Sequence, residues 1–390
     1  MSRENKKHGA HDGRVTEQTV LDALSTVKDP ELRRDLVSLG MIRGIAICDG
    51  VVRFTLVLTT MACPLKGQIQ DQAKSAVMKV PGVKEVNVEL TSDTPRHTGP
   101  RRGKMVGQVV LEDLLPTVRN AVAVASGKGG VGKSTVATNI AVALAQDGAS
   151  VGLLDADVYG PSIPTMMGVQ QQPQVTEDER LVPITKFGLQ LMSIGFVITE
   201  NQATIWRGPM VAKMVQQFLS GVAWGDLDYL IIDLPPGTGD TQLTLTQSVP
   251  LAGGLIVSTP QAVALADVRR AVAMFRRVDV PILGVVENMS VFVCPNCGHR
   301  EHIFAYGGAR EEAGKLGVPF LGEIPIDLSI REGGDSGVPV AVGRPDSPVA
   351  QAFRALARDM AAKISVHNLT KRKAERNQPL GTGKELPMVG

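Results

Sequence analysis

The 390-residue chain is short of several things, and each shortage closes a class of function. Aromatic residues make up only 4% of it, too few to supply the stacking platforms on which single-stranded nucleic acid is held. Charge is nearly balanced, with 41 Lys and Arg against 39 Asp and Glu for a formal net of +2, so no electrostatic footprint marks a nucleic-acid or membrane partner. No apolar run approaches the roughly 20 residues needed to span a bilayer. The first residues, 1–14, are polar and mixed in charge, without the apolar centre of a secretory signal. Four cysteines do not make a disulfide framework in a chain of this length. Together these shortages point to the reducing cytoplasm, where thiols remain available for metal.

What is present, 43% hydrophobic residues and 41 glycines, suits a globular protein with one large domain and one smaller. Residues 16–27 have the spacing of an amphipathic helix, with Val20, Leu21, Leu24 and Val27 on one face, closed by Asp29-Pro30. Residues 51–58 alternate and are β-branched, 69–80 return to helical spacing, Pro81-Gly82 breaks them, and 83–90 alternate again. This predicts a small α+β domain over 15–91, preceded by a disordered N-terminus, 1–14. A polar run holding Pro95, Gly99, Pro100 and Gly103 makes 92–106 a linker. Beyond it, short and almost continuous apolar runs (121–125, 151–155, 189–194, 229–233, 254–258, 282–287) alternate with helical segments (133–146, 210–220, 264–277, 309–316), and 354–364 reads as a last packing helix. The pattern predicts an α/β domain over 107–366, a mostly parallel sheet with helices on both faces. Residues 367–390 read as a disordered tail, charged and then rich in Pro and Gly.

The most informative stretch is Gly127-Lys128-Gly129-Gly130-Val131-Gly132-Lys133-Ser134-Thr135. It fits the phosphate-loop pattern G-x-x-x-x-G-K-[ST] between an expected strand and an expected helix. Glycines there let backbone N–H groups turn inward around phosphate oxygens at a helix mouth. Lys133 can reach the β- and γ-phosphates and the Ser134 hydroxyl can ligate Mg²⁺, so the chain is expected to bind a nucleoside triphosphate, ATP. The second lysine, Lys128, produces G-K-G-G-V-G-K-S-T, which resembles the deviant Walker A ATPases: MinD and ParA, the nitrogenase iron protein, the arsenite-pump ATPase and the Mrp proteins. The resemblance implies that Lys128 crosses a homodimer interface to the partner's nucleotide and acts like an arginine finger, so that hydrolysis requires dimerisation. A solvated loop lysine is the alternative.

Two carboxylate groups follow expected strands. Asp155-Ala156-Asp157 opens a stretch that resembles the first switch of these ATPases. The resemblance implies that Asp157 orients the attacking water and that Asp155 supports the Mg²⁺ shell; helix capping and turn chemistry are the plain alternative. Asp233 follows the apolar run Tyr229-Leu230-Ile231-Ile232, the Walker B arrangement that sets a carboxylate near magnesium. Pro235-Pro236-Gly237-Thr238-Gly239 after it resembles the Mrp form of the second switch. Asn288 matches the position where these ATPases hold adenine, though an Asn at a strand end also serves as a turn residue.

Cys294-Pro295-Asn296-Cys297-Gly298 presents two thiols from one tight loop, half of a tetrahedral metal site. Cys48 and Cys63 form no second C-x-x-C, and His299 and His302 follow too closely for a zinc-finger pattern. A two-fold dimer would set two such loops face to face and supply four thiolates, enough for one 4Fe–4S cluster. A zinc shared across the dimer, or a redox disulfide, would use the same pair. The region from Gly107 to Ile364, with this pair, resembles the Mrp subgroup of ApbC-like iron–sulfur carriers, which implies a labile bridging cluster received from an assembly scaffold and passed to apo iron–sulfur proteins. The segment from Val15 to Thr91 resembles the small domain of PaaD-like and SufT-like assembly factors, through Asp29-Pro30-Glu31, Leu39-Gly40 and Thr59-Thr60-Met61-Ala62-Cys63-Pro64-Leu65. That family keeps a cysteine at the Cys63 position, so Cys63 is either an accessory transfer thiol or a small core residue; Cys48 reads as core. Two other classes share these motifs: a ParA- or MinD-like positioning ATPase, and a reductase coupling ATP hydrolysis to electron transfer through a firmly held cluster.

Overall fold

A computed structural model describes residues 15–30, 34–58, 60, 65–92, 105–106, 109–110, 114–197 and 208–376. The chain divides into two units between Thr94 and Pro95.

The first unit contains α1 (Glu17–Leu24), β1 (Ile42–Cys48), β2 (Val51–Leu58), α2 (Lys66–Met78) and β3 (Glu85–Ser92). Thr16 starts α1 because its hydroxyl accepts the Thr19 N–H while the Thr19 hydroxyl answers the Thr16 N–H, satisfying donors that the first turn would leave open. Sheet order is β1-β2-β3, with β1 antiparallel and β3 parallel to β2. Ile69, Ala73 and Val77, one stripe at i, i+4 spacing, bury against Val20 and Leu24 of α1 and Val52, Phe54 and Leu56 of β2.

The strand-like run that ends in Cys48 is β1, but Cys48 itself is exposed and not core. Of this edge strand, Ile42, Ile45 and Ile47 lean on the core, their alternation shifted by a bulge between Arg43 and Ala46, which turns Cys48 the other way at the mouth of the Asp49-Gly50 turn. Cys63 lies outside the described residues.

The second unit opens with a short hairpin, β4 (Met105–Val106) and β5 (Val109–Val110), then β6 (Val118–Ala125), α3 (Lys133–Gln146), β7 (Val151–Asp155), α4 (Ile163–Met166), β8 (Ile184–Lys186) and β9 (Leu189–Ser193). It continues with α5 (Gly208–Gly221), β10 (Leu227–Asp233), α6 (Asp240–Ser248), β11 (Leu251–Ser258), α7 (Ala262–Arg277), β12 (Ile282–Val293), β13 (Arg300–Glu301), α8 (Gly308–Leu316), β14 (Phe320–Ile326), α9 (Leu328–Ser336), α10 (Val340–Gly343) and α11 (Pro348–Arg376). Strand order runs β8-β9-β7-β10-β6-β11-β12, with β13 and β14 both paired to β12. The sheet is mostly parallel; only β8 against β9 and β13 against β12 run antiparallel. All six expected strands are present, and β7 spans the expected residues.

The chain leaves β6 in one direction, to β7, and leaves its neighbour β10 in the other, to β11. Such a reversal opens a crevice beyond the carboxyl ends of the two strands, where ligands bind in open α/β sheets. Parallel register aligns Asp233 of β10 with Asp155 of β7, and Asp155 with Ser193 of β9, in one row across that edge.

Helix α11 corrects the expected tail. It continues to Arg376, and Asn368, inside the segment expected to be disordered, is buried with its amide on the Asn120 side-chain oxygen at 2.8 Å. The stretch 367–376 is charged but free of Gly and Pro and rich in Lys, Arg, Ala and Glu, all strong helix formers. Earlier in the helix Arg358 grips Asp147, at the end of α3, through two bonds of 2.6 and 2.8 Å. Among the described residues no helix is long and apolar enough to cross a membrane.

Candidate functional site

The phosphate loop joins β6 to α3. Gly132 is the N-cap of α3, in the left-handed region at φ +81°, and no side chain caps the helix. First-turn N–H groups of α3 therefore remain open to an anion. A side chain at Gly132 would also collide with the Asn288 amide nitrogen, 2.2 Å from where its Cβ would sit. Asn288 donates to the Val131 carbonyl at 2.9 Å and so fastens β12 to the loop. The loop is further fixed by Ser126, whose hydroxyl donates to the Lys128 carbonyl at 2.9 Å and whose own carbonyl accepts the Gly237 N–H at 2.9 Å. This second contact ties the loop to the Pro235–Gly239 segment.

Inside the crevice Lys133 is buried between acids. Its Nζ lies 2.6 Å from Asp233 Oδ1, 3.6 Å from Asp157 Oδ2 and 3.3 Å from Ser134 Oγ. Asp233 is fully buried, and its other oxygen, Oδ2, has no hydrogen-bond partner among the described residues. Burial pushes its carboxyl up, opposed chiefly by the Lys133 charge. Asp155 is pushed up to about 7, first by burial and then by the Asp233 charge beside it. Backbone N–H groups of Ile163 and Asp157, and the Ser193 hydroxyl at 3.0 Å, work against that rise. The uncapped helix mouth, the glycine cradle and the orphaned Asp233 oxygen fit a Mg²⁺–nucleoside triphosphate, which supplies anionic oxygens for the N–H groups and a cation for the carboxylate.

Lys133, Ser134, Asp155, Asp157 and Asp233 are thus brought together, with Asn288 at the rim. Lys128 is not part of this cluster: it is half-buried on the loop and makes no ion pair among the described residues. Spacing missed Ser193, the residue that holds Asp155; its place at the end of an apolar run was the available signal. It also missed Asp267 of α7, against which Gly127 packs so closely that a Cβ there would lie 2.1 Å from the Asp267 Cβ.

The cysteine pair occupies the turn beyond β12. The Cys294 N–H donates to the His299 carbonyl and the Gly298 N–H to the Cys294 carbonyl, both at 2.9 Å, with Gly298 in the left-handed region the turn demands. Backbone N–H groups of Asn296 and Cys297, then the Cys297 thiol, hydrogen-bond to the Cys294 sulfur and hold its pKa below the usual thiol range. That favours the thiolate, the metal-binding form. Neither cysteine is buried, and among the described residues no group of three or more His, Cys, Asp or Glu is placed to hold a metal. His299 instead meets Glu301, at 3.3 Å.

Fold and crevice define a P-loop nucleoside triphosphatase of the α/β class. The description "NUBPL iron-transfer P-loop NTPase" matches residues 117–361, and an iron–sulfur cluster assembly domain matches residues 17–90. The chain is 50% identical over 360 residues to the iron–sulfur cluster carrier protein of Synechocystis, covering 90% of this chain and 99% of that one. It is 52% identical over 355 residues to the carrier protein of Deinococcus radiodurans, covering 90% and 96%. Among solved structures, a nucleotide-binding protein of Archaeoglobus fulgidus in complex with ADP is 42% identical, covers 63% of this chain and 97% of its own, and superposes with a TM-score of 0.55. The chain belongs to the NUBPL-type iron-transfer P-loop NTPase family.

Proposed function

We propose that this chain is a cytoplasmic, homodimeric ATPase that carries a 4Fe–4S cluster from an assembly scaffold to apo iron–sulfur proteins. The thiol pair carries this reading. Cys294 and Cys297 leave one turn together, Cys294 is biased toward thiolate, and among the described residues no third ligand stands near. Each copy offers half of a four-thiolate set, so a second copy completes it. The relatives' names, iron–sulfur cluster carrier protein, support the same cargo.

In the ATPase half, the Gly127–Thr135 loop and Lys133 would bind the phosphates, and Ser134 and Asp233 would hold Mg²⁺, with Asp155 behind them. Asp157 would orient the attacking water, Asn288 would face the adenine, and Lys128, free of the buried acids, would extend to the partner's nucleotide. Turnover is expected to be slow. Anaerobic reconstitution with iron and sulfide, followed by iron counting, visible absorption and transfer to an apo-ferredoxin-type acceptor, tests the reading. We expect about four irons per dimer, their loss in Cys294→Ser and Cys297→Ser, and ATP binding kept by both variants. A colourless wild type retaining zinc would sink the carrier.

A further inference from the structure

The hairpin beyond β12 is exposed over nearly its whole length: residues 293–306 are exposed apart from half-buried Cys294. Polar residues would suit such a position, yet Val293, Ile303, Phe304 and Tyr306 are 41%, 53%, 36% and 51% exposed. The Tyr306 ring stacks at 4.5 Å on His302, itself exposed. Apolar residues scattered singly over a surface need no explanation, but a cluster around a metal-binding turn does.

We propose that Val293, Ile303, Phe304 and Tyr306 form a collar that meets its counterpart on a second copy of this chain, closing around the two cysteine pairs and setting how long the cluster survives. This rests on the bridged-cluster reading above. One observation selects a second copy over another partner. The turn supplies only two thiols, so the site is incomplete without an identical turn opposite. A solvent-excluding apolar shell limits the access of water, protons and chelators to the thiolate–iron bonds, so the collar controls release without touching iron.

The experiment uses the full chain, reconstituted anaerobically, with three readouts: iron per dimer, dimer dissociation by sedimentation, and half-time of iron loss to a ferrous chelator. Phe304→Ser/Tyr306→Ser should still load iron, yet dissociate about tenfold more readily and lose iron about tenfold faster. Val175→Ser, a more exposed apolar position elsewhere at 61%, should change neither. Unchanged chelation and dissociation in the serine variant would overturn the collar. So would slower delivery to an acceptor with unchanged chelation, which would assign the face to the recipient. An iron-free wild type would instead remove the carrier reading itself, a failure visible before any variant is compared.

Discussion

Lys133 does more than await phosphate; without nucleotide it is the cation that neutralises a fully buried carboxylate. Asp233 is fully buried, 2.6 Å from Lys133 Nζ, its second oxygen without a hydrogen-bond partner among the described residues, and burial already pushes its carboxyl up. Lys133→Met keeps most of the stem and removes the charge. Breaking one side of a buried pair costs about 3–5 kcal/mol, because the remaining ion stays desolvated and alone. For a domain of this size that corresponds to a fall of about 10 °C in melting temperature. The sign with pH follows from the upward shift. Below the unfolded carboxylate value of 3.8 both states are protonated and the penalty vanishes. It grows as pH rises through the folded pKa and is complete above it. Loss should therefore be large at pH 8 and smaller at pH 5, measured by thermal unfolding of the nucleotide-free full chain. Adding Asp233→Asn to Lys133→Met should recover about 2 kcal/mol, since the uncompensated charge is then gone. A single variant as stable as wild type at pH 8, or a double variant no better than the single, would refute this account.

Three further outcomes are expected. Lys128→Ala should lower ATP turnover by about 100-fold while changing ATP affinity little, since the role proposed for it lies in the transition state; weaker binding at an unchanged maximal rate contradicts it. The contribution of Asp155, pushed up to about 7 from 3.8, is fully present below pH 4 and is lost as pH rises through 7, so Asp155→Asn should flatten the decline in apo-protein melting temperature between pH 5 and 8; equal slopes would count against the shift. Gly254→Ala would put a Cβ 2.5 Å from the Phe275 ring and should destabilise by about 1–3 kcal/mol, with Phe275→Leu recovering part of the loss in a denaturant titration.

Much of the ATPase unit was legible because its central strands are buried on both faces, which writes them as unbroken apolar runs. The row of Asp233, Asp155 and Ser193 was only partly legible: each acid ends its run, but their alignment depends on strand order, which periodicity does not encode. β14 was missed because Phe320-Leu321-Gly322-Glu323-Ile324-Pro325-Ile326 carries Gly, Glu and Pro and reads as loop, and β8 and β13 are too short to leave a pattern. Cys48 misled because an apolar residue at the end of an edge strand looks like core until the covered face is known. The end of α11 reads as tail because its Lys and Arg resemble a disordered run, whereas the helix propensity of the same residues carries the helix to Arg376. The cysteine pair was legible as half a site, and the described residues still offer only half.

One strand joins the two chemistries. β12 carries Asn288, bonded to the phosphate loop, and ends one residue before Cys294. Extended backbone advances about 3.3 Å per residue, so the six steps from Asn288 to Cys294 span at most roughly 20 Å, shortened by Met289 in the left-handed region at φ +57° and by a register shift against β14 between Asn288 and Phe292. Inserting or deleting a single residue between them would shift the register across that irregularity and displace the cysteine turn while leaving the nucleotide crevice whole. β12 is in this sense a ruler: the residues between its two marks can vary, but their number cannot.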